Sequence, residues 1–249
     1  NNPGVRQYNL EVGPELSFNQ TFTEDKHSVD TIHENKFFQA STITKANAAN
    51  FEFKLPVISE ADFEIVRTKL LDCTTFDLYV STQQDVFKLE NSVLTNGTFD
   101  IERSKPLSLS VTGEASKLTK IGATSSYTVP GTIVEDSATR THLISEEHTI
   151  TLGGSDISDS VYSIKAELQN DIQWIPYQTV NAGLDVTNAA TAMYPSSFTV
   201  NGKTLAGSIG RYLADTTGSD VQTFRTGTSL RIQAVKDIHI SNAYPGIDI

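Results

Sequence analysis

From Tyr162 to Leu168 every second residue is apolar: Tyr162, Ile164, Ala166 and Leu168 alternate with Ser163, Lys165 and Glu167. Side chains on a strand point to opposite faces in turn, so this period of two predicts a strand with one wet and one buried face. A chain containing it must build a sheet that covers one side only. The strand runs on into Gln169-Asn170-Asp171, Trp174 and Pro176, after which no period is visible until Phe198-Thr199-Val200. The unit is a strand, a long excursion over 170–195 and a returning strand.

The first half has the same order. Leu16, Phe18 and Phe22 share one face of a predicted strand, and a polar stretch over 24–49 follows, with Phe37-Phe38 in its middle. That stretch reads as a long loop, of a length uncommon in a compact domain unless it has a task. Phe51–Leu55 is the returning strand, ended by Pro56. Ser59 then stands as an N-cap with Asp62 three residues on, and Phe63, Val66 and Leu70 form the stripe of an amphipathic helix. Further strands are expected at 76–80, 86–90, 99–101 and 107–112, with turns at Asn96-Gly97, 105–106 and Gly113. Asn201-Gly202 is, like Asn96-Gly97, a hairpin-turn signal. The small, polar run 117–126 reads as a boundary. Beyond it, strands are expected at 129–134, 141–144, 148–152, 198–213, 230–234 and 237–240. Gly153-Gly154 is expected to turn, and a short helix is expected at 219–224. The chain is thus predicted to be mainly β: two tandem β-sandwich domains, 1–120 and 127–249, each with a short flanking helix.

Chemistry is harder to find. With 19 Lys+Arg against 30 Asp+Glu the net charge is −11, which argues against a grip on nucleic acid. It leaves room for a surface past which DNA moves without sticking. Cys73 is the only cysteine, so it reads as a structural thiol, and no intrachain disulfide forms. No run of about 18 apolar residues predicts a membrane span. His27, His33, His142, His148 and His239 lack metal-ligand spacing. Ser155–Ser160 is an acidic turn without the elements of a calcium loop. Gly207-Ser208-Ile209-Gly210 lacks the strand–turn–helix setting of a nucleophile elbow. Glu146-Glu147-His148 reads as a charged turn. No catalytic, metal or cofactor constellation emerges, so the expectation is a protein that is not an enzyme.

The run Val161–Ile175, with its return through Tyr194–Val200 and Leu205–Leu213, resembles the tail tube proteins of long-tailed bacteriophages, in the subclass with two fused tube domains per subunit. Leu16–Phe22, Phe51–Leu55, the 59–71 helix and the 86–114 strands fit the same scheme. The likeness spans most of residues 8–240 and lies in order and spacing. One departure is that no alternating strand near Tyr244–Ile249 matches Leu107–Thr112, so the second domain either closes differently or its end is trimmed.

The resemblance implies that inner sheets join into a ring-shaped β-barrel. Three subunits would make a pseudo-hexameric ring, and stacked rings a homo-oligomeric tube. Other tail proteins would be partners, the virion tail the location, and the bacterial host cytoplasm the place of assembly. Double-stranded DNA would pass transiently without specific binding. The bore would be lined by Ser17, Asn19, Thr21, Glu52 and Lys54 from the first half, and by Ser163, Lys165, Glu167, Thr199 and Asn201 from the second. Phe18, Phe22, Phe53, Ile164, Leu168 and Val200 would face a core. Phe37, Phe38, Trp174 and Tyr177, carried by the excursions, would make inter-ring contacts. Two other readings are a tube-initiator or distal ring protein of the same fold, and a carbohydrate-binding β module stacking sugars on Trp174 and Tyr177.

Overall fold

The computed structural model describes residues 6–10, 12–31, 34–56, 60–102, 105, 107–133, 148–175, 193–195, 197–212, 230–234 and 246–248. In chain order the first half gives β1 (Arg6–Gln7), β2 (Ser17–Asn19), β3 (Phe22–Thr31), β4 (Glu34–Ala46), β5 (Ala49–Pro56), α1 (Glu60–Asp72), β6 (Phe76–Ser81), β7 (Asp85–Glu102), β8 (Ser108–Ala115) and β9 (Lys117–Ala123). There follow β10 (Thr132–Ile133), β11 (His148–Leu152), β12 (Ser155–Asp156), β13 (Val161–Ile175), β14 (Ser197–Arg211), β15 (Leu230–Ala234) and β16 (Gly246–Asp248). The fold is mainly β, and α1 is the one α-helix among the described residues. No helix among them is long and apolar enough to cross a membrane.

The main sheet runs β14-β13-β7-β8-β5-β2. Its organiser is β7, 18 residues long. Residues 85–90 of β7 pair with β9 and residues 86–92 with β6, whereas residues 93–102 pair with β8 and β13. The strand changes sheets around Asn91, whose φ of +52° suits an asparagine better than most side chains. The β6–β7–β9 layer then packs back onto the main sheet. Phe87 meets Phe18 with centroids 5.2 Å apart, and Phe76 meets Phe51 edge-on at 6.4 Å. The core between the layers holds Phe51, Phe53, Leu55, Leu89, Leu94 and Val111, joined by Val66 and Leu70 of α1 and by Ile150 and Leu152 of β11.

β5 alternates buried and exposed without a break, as expected, and α1 buries the predicted Val66 and Leu70. Cys73, buried at the helix end, adopts the left-handed conformation common just past a helix C-terminus. Several expectations need correcting. Residues 24–46 do not form an irregular loop: β3 and β4 pair antiparallel in a hairpin of their own. Asn96-Gly97 and Asn201-Gly202 are not turns but lie inside β7 and β14. Gly97 serves packing instead, since a Cβ there would come within 2.3 Å of Leu70 Cδ2, so its absence lets α1 settle on the sheet. The expected boundary over 117–126 is largely β9, and strands 86–90 and 99–101 are one strand. β13 pairs with β7 from Ser163↔Glu102 to Gln169↔Asn96, which brings strands of both halves of the chain into one sheet. The expected elements at 141–144, 219–224 and 237–240 lie outside the described residues.

An isolated two-stranded ribbon is marginal in water, so the hairpin needs an anchor at its base. Gln20 supplies one. Its side-chain amide donates to the carbonyls of Asn47 (2.9 Å) and Ser116 (3.0 Å), and its Oε1 accepts from the Leu118 amide. The same base receives the end of the second excursion. Ala46 N–H donates to Met193 O, Ser116 Oγ to Pro195 O, and Tyr194 packs edge-on to Phe22. Both excursions therefore meet at one place.

Candidate functional site

The polar face of the main sheet is the most extended ordered surface, and register builds it row by row. One row reads Lys54, Ser110, Thr98, Glu167 and Ala206 across β5, β8, β7, β13 and β14. The next reads Ser17, Glu52, Thr112, Asn96, Gln169 and Thr204 from β2 to β14. On β5, β8, β7 and β13 the positions follow from alternation, since the neighbours Phe53, Val111, Phe99 and Ile164 are buried on the other side, whereas residues 199–208 of β14 are exposed on both faces. Two shallow hollows open on this face and share Thr95, Thr112 and Glu114 as their common wall.

Cross-strand contacts order the charges. Asn96 Nδ2 donates to Glu167 Oε1 at 2.9 Å, and Lys165 Nζ lies 3.6 Å from Glu167 Oε2. Thr95 Oγ1 lies 3.2 Å from both the hydroxyl and the carbonyl of Thr112, where β7 begins to leave β13. Beyond that point β13 continues with β14 alone, and Trp174 Nε1 donates to Glu114 Oε2 at 2.7 Å. Burial holds the Glu114 carboxyl above its ordinary value, and the indole hydrogen bond only partly opposes the rise.

The sign of the linkage follows. The fold binds the Glu114 proton more tightly than the unfolded chain does. Its contribution therefore favours the fold below the ordinary carboxylate value and is lost as pH rises through the raised one. Glu114→Gln, which keeps an acceptor for Trp174, is expected to raise stability at neutral pH. The gain should vanish under acid conditions where the glutamate is already neutral. Urea unfolding at stepped pH checks this, and an equal difference at every pH would contradict it.

Of the residues expected to line a bore, Ser17, Asn19, Glu52, Lys54 and Lys165 are exposed on this face, and Ser163 and Glu167 are half-buried there. Thr199 and Asn201 are exposed on β14, with Asn201 Nδ2 donating to Gln173 Oε1 at 3.3 Å. Thr21 is exposed between β2 and β3 and accepts from Asn47 Nδ2. Two residues assigned to the core are not in it: Phe22 is 47% and Val200 40% exposed. Phe22 starts the hairpin that leaves the sheet, and Val200 sits on the outermost strand.

Trp174 is no open platform, since its N–H is used by Glu114 and its ring stands edge-on to Phe198 at 5.2 Å. Phe37 and Phe38 lie on β4, Phe38 opposite Val29, but their side chains lie outside the described part, as does Tyr177 altogether. Sequence reasoning missed Thr98, Ser110 and Thr112 in the middle of the face. The alternation in 107–112 was the signal for the two on β8.

Among the described residues no group of three or more His, Cys, Asp or Glu could hold a metal ion. What the face offers is a broad, wet, mixed-charge wall without a deep cleft. No family model matches the chain, and no curated protein matches it either.

Proposed function

We propose that the chain is a structural subunit of a phage-type tail tube and that the polar sheet face lines its bore. One observation carries this reading. A polar face six strands wide, fed by both halves of the chain, ends at β14, a 15-residue strand whose outer edge has no partner strand among the described residues. An open edge of that length is a template for another chain, and Val200 and Leu205 on β14 are 40% and 52% exposed. Pairing β14 with the far end of a neighbouring subunit's sheet removes both edges and closes a ring. Three subunits make a pseudo-hexameric ring and stacked rings make the tube, with other tail proteins at its ends, in the virion.

The meeting of the hairpin base with residues 193–195 supports a shared stacking contact between rings, made by the two excursions. For the bore, Glu52, Asp100, Glu167 and Asp171 are interleaved with Lys54 and Lys165 on a subunit of net charge −11. Such a wall repels phosphates weakly and presents no cluster of cations to hold double-stranded DNA.

Electron microscopy of the purified protein over a concentration series tests the reading. Rings of three subunits and tubes of uniform diameter are expected. Single subunits at every concentration would rule it out.

A further inference from the structure

The two Asn-Gly pairs of the chain sit in strands rather than turns, and in very different settings. Asn-Gly is the dipeptide most open to spontaneous loss of ammonia, because glycine leaves the following amide nitrogen unhindered. Whether the reaction proceeds depends on how firmly the backbone is held away from the side chain. Asn96-Gly97 is held on both sides: Asn96 pairs with Gln169 and Thr112, Gly97 with Leu168 and Val111. Its side-chain amide is tied to Glu167 at 2.9 Å, and Leu70 presses on Gly97.

Asn201-Gly202 lies on the edge strand β14. The register passes from Asp171↔Gly202 to Ile172↔Val200, so Asn201 is the unpaired residue of a bulge. A bulged residue departs from the extended backbone and is left out of the ladder. Asn201 is exposed, and nothing lies within 4 Å of the place a Cβ on Gly202 would take. The Asn201 side-chain amide makes one long bond, donating to Gln173 Oε1 at 3.3 Å on the exposed surface, against 2.9 Å at Asn96. The Thr199 hydroxyl, shared with Gln173 O at 3.5 Å, lies 3.4 Å from Asn201 Oδ1, the oxygen on which negative charge grows when its carbonyl carbon is attacked.

We propose that Asn201 is a spontaneous modification site, deamidating in the folded protein while Asn96 stays intact. The Gly202 amide nitrogen attacks Asn201 Cγ and a new N–Cγ bond forms. The Cγ–Nδ2 bond breaks, and Nδ2 leaves as ammonia with the proton released from the Gly202 amide. Water then adds across one carbonyl of the five-membered imide and opens it, leaving aspartate or isoaspartate at position 201. No redox change occurs, and water is the only co-reactant. Either product puts a negative charge beside Asp171, and the iso form adds a methylene to the main chain of β14.

The test incubates the intact protein at mildly alkaline pH, with a urea-unfolded sample in parallel. Peptide mass spectrometry then follows the amide-to-acid mass gain at both asparagines. In the unfolded chain the two should convert at similar rates. In the folded protein Asn201 should convert more than about tenfold faster than Asn96, a barrier gap above about 1.4 kcal/mol. Gly202→Ala, for which the site has room, should suppress conversion at position 201 without disturbing the fold. Equal rates at the two asparagines in the folded protein would overturn the proposal. So would a rate at Asn201 that Gly202→Ala leaves unchanged.

Discussion

Gly113→Ala is expected to cost the fold about 1–3 kcal/mol, the range found when atoms are forced into a filled core. Gly113 lies on the buried side of β8, in register with Phe51 of β5 and Leu94 of β7. A Cβ there would come 2.2 Å from Phe51 Cζ and 2.7 Å from the Val93 carbonyl oxygen. The oxygen belongs to a central strand and cannot retreat. The ring is flanked by Phe53 at 6.3 Å and Phe76 at 6.4 Å, so its escape is blocked as well. For a chain of this length each kcal/mol lowers the melting temperature by about 2–4 °C, which calorimetry resolves. Phe51→Leu in the Gly113→Ala background should recover part of the loss, the two changes being non-additive because they share one contact. Gly97→Ala should be milder, since there the obstacle is only the tip of Leu70. A Gly113→Ala protein as stable as the parent would show that the layers separate more readily than their packing implies.

Asn170→Asp is expected to be worse. Asn170 is buried on β13, and its Nδ2 donates to Leu70 O at 2.8 Å and to Leu94 O at 3.0 Å. It ties the last turn of α1 and the middle of β7 to a strand from the other half of the chain. Nearby, Lys203 Nζ on β14 donates to Leu71 O, placing a cation at the negative end of the helix. An ionised aspartate removes both donors, costing the buried Leu70 and Leu94 carbonyls a hydrogen bond each, at about 0.5–1.5 kcal/mol per bond. It also sets a carboxylate against those oxygens, and an unpaired buried charge adds several kcal/mol more. The penalty has a pH signature. Burial raises the new carboxyl in the fold, so the loss should be deepest at neutral pH and shrink under acid conditions as the acid becomes neutral. Asn170→Leu, which loses the donors but adds no charge, should lie between parent and Asn170→Asp and be independent of pH. If the two variants are equally stable at neutral pH, the charge argument fails.

Alternation made β5, β8 and β13 readable, because each buries one face and wets the other. The 3.6 period did the same for α1 through Val66 and Leu70. The hairpin was invisible because its residues carry no regular hydrophobic period, so 24–49 read as a loop. Asn96-Gly97 and Asn201-Gly202 misled because the turn signal is local. Gly97 answers instead to Leu70, and Asn201 to a bulge set by β13. The polar faces of single strands were legible, but their order side by side was not. The Glu167–Asn96 and Trp174–Glu114 bonds span 71 and 60 residues, distances at which no spacing rule applies.

The double membership of β7 also sets an order of events during synthesis. Its C-terminal part pairs with β8 on one flank, and that partner leaves the ribosome soon after it. The other flank waits for β13, which follows some 60 residues further on in the chain. Until then a newly made first half displays a bare central strand in addition to its outer edges. At high expression that flank can be filled by β13 of another nascent chain, giving an exchanged dimer rather than a closed subunit. Slow translation through 124–160 would lengthen the exposure, and a chaperone that shields extended backbone would be most useful in that interval.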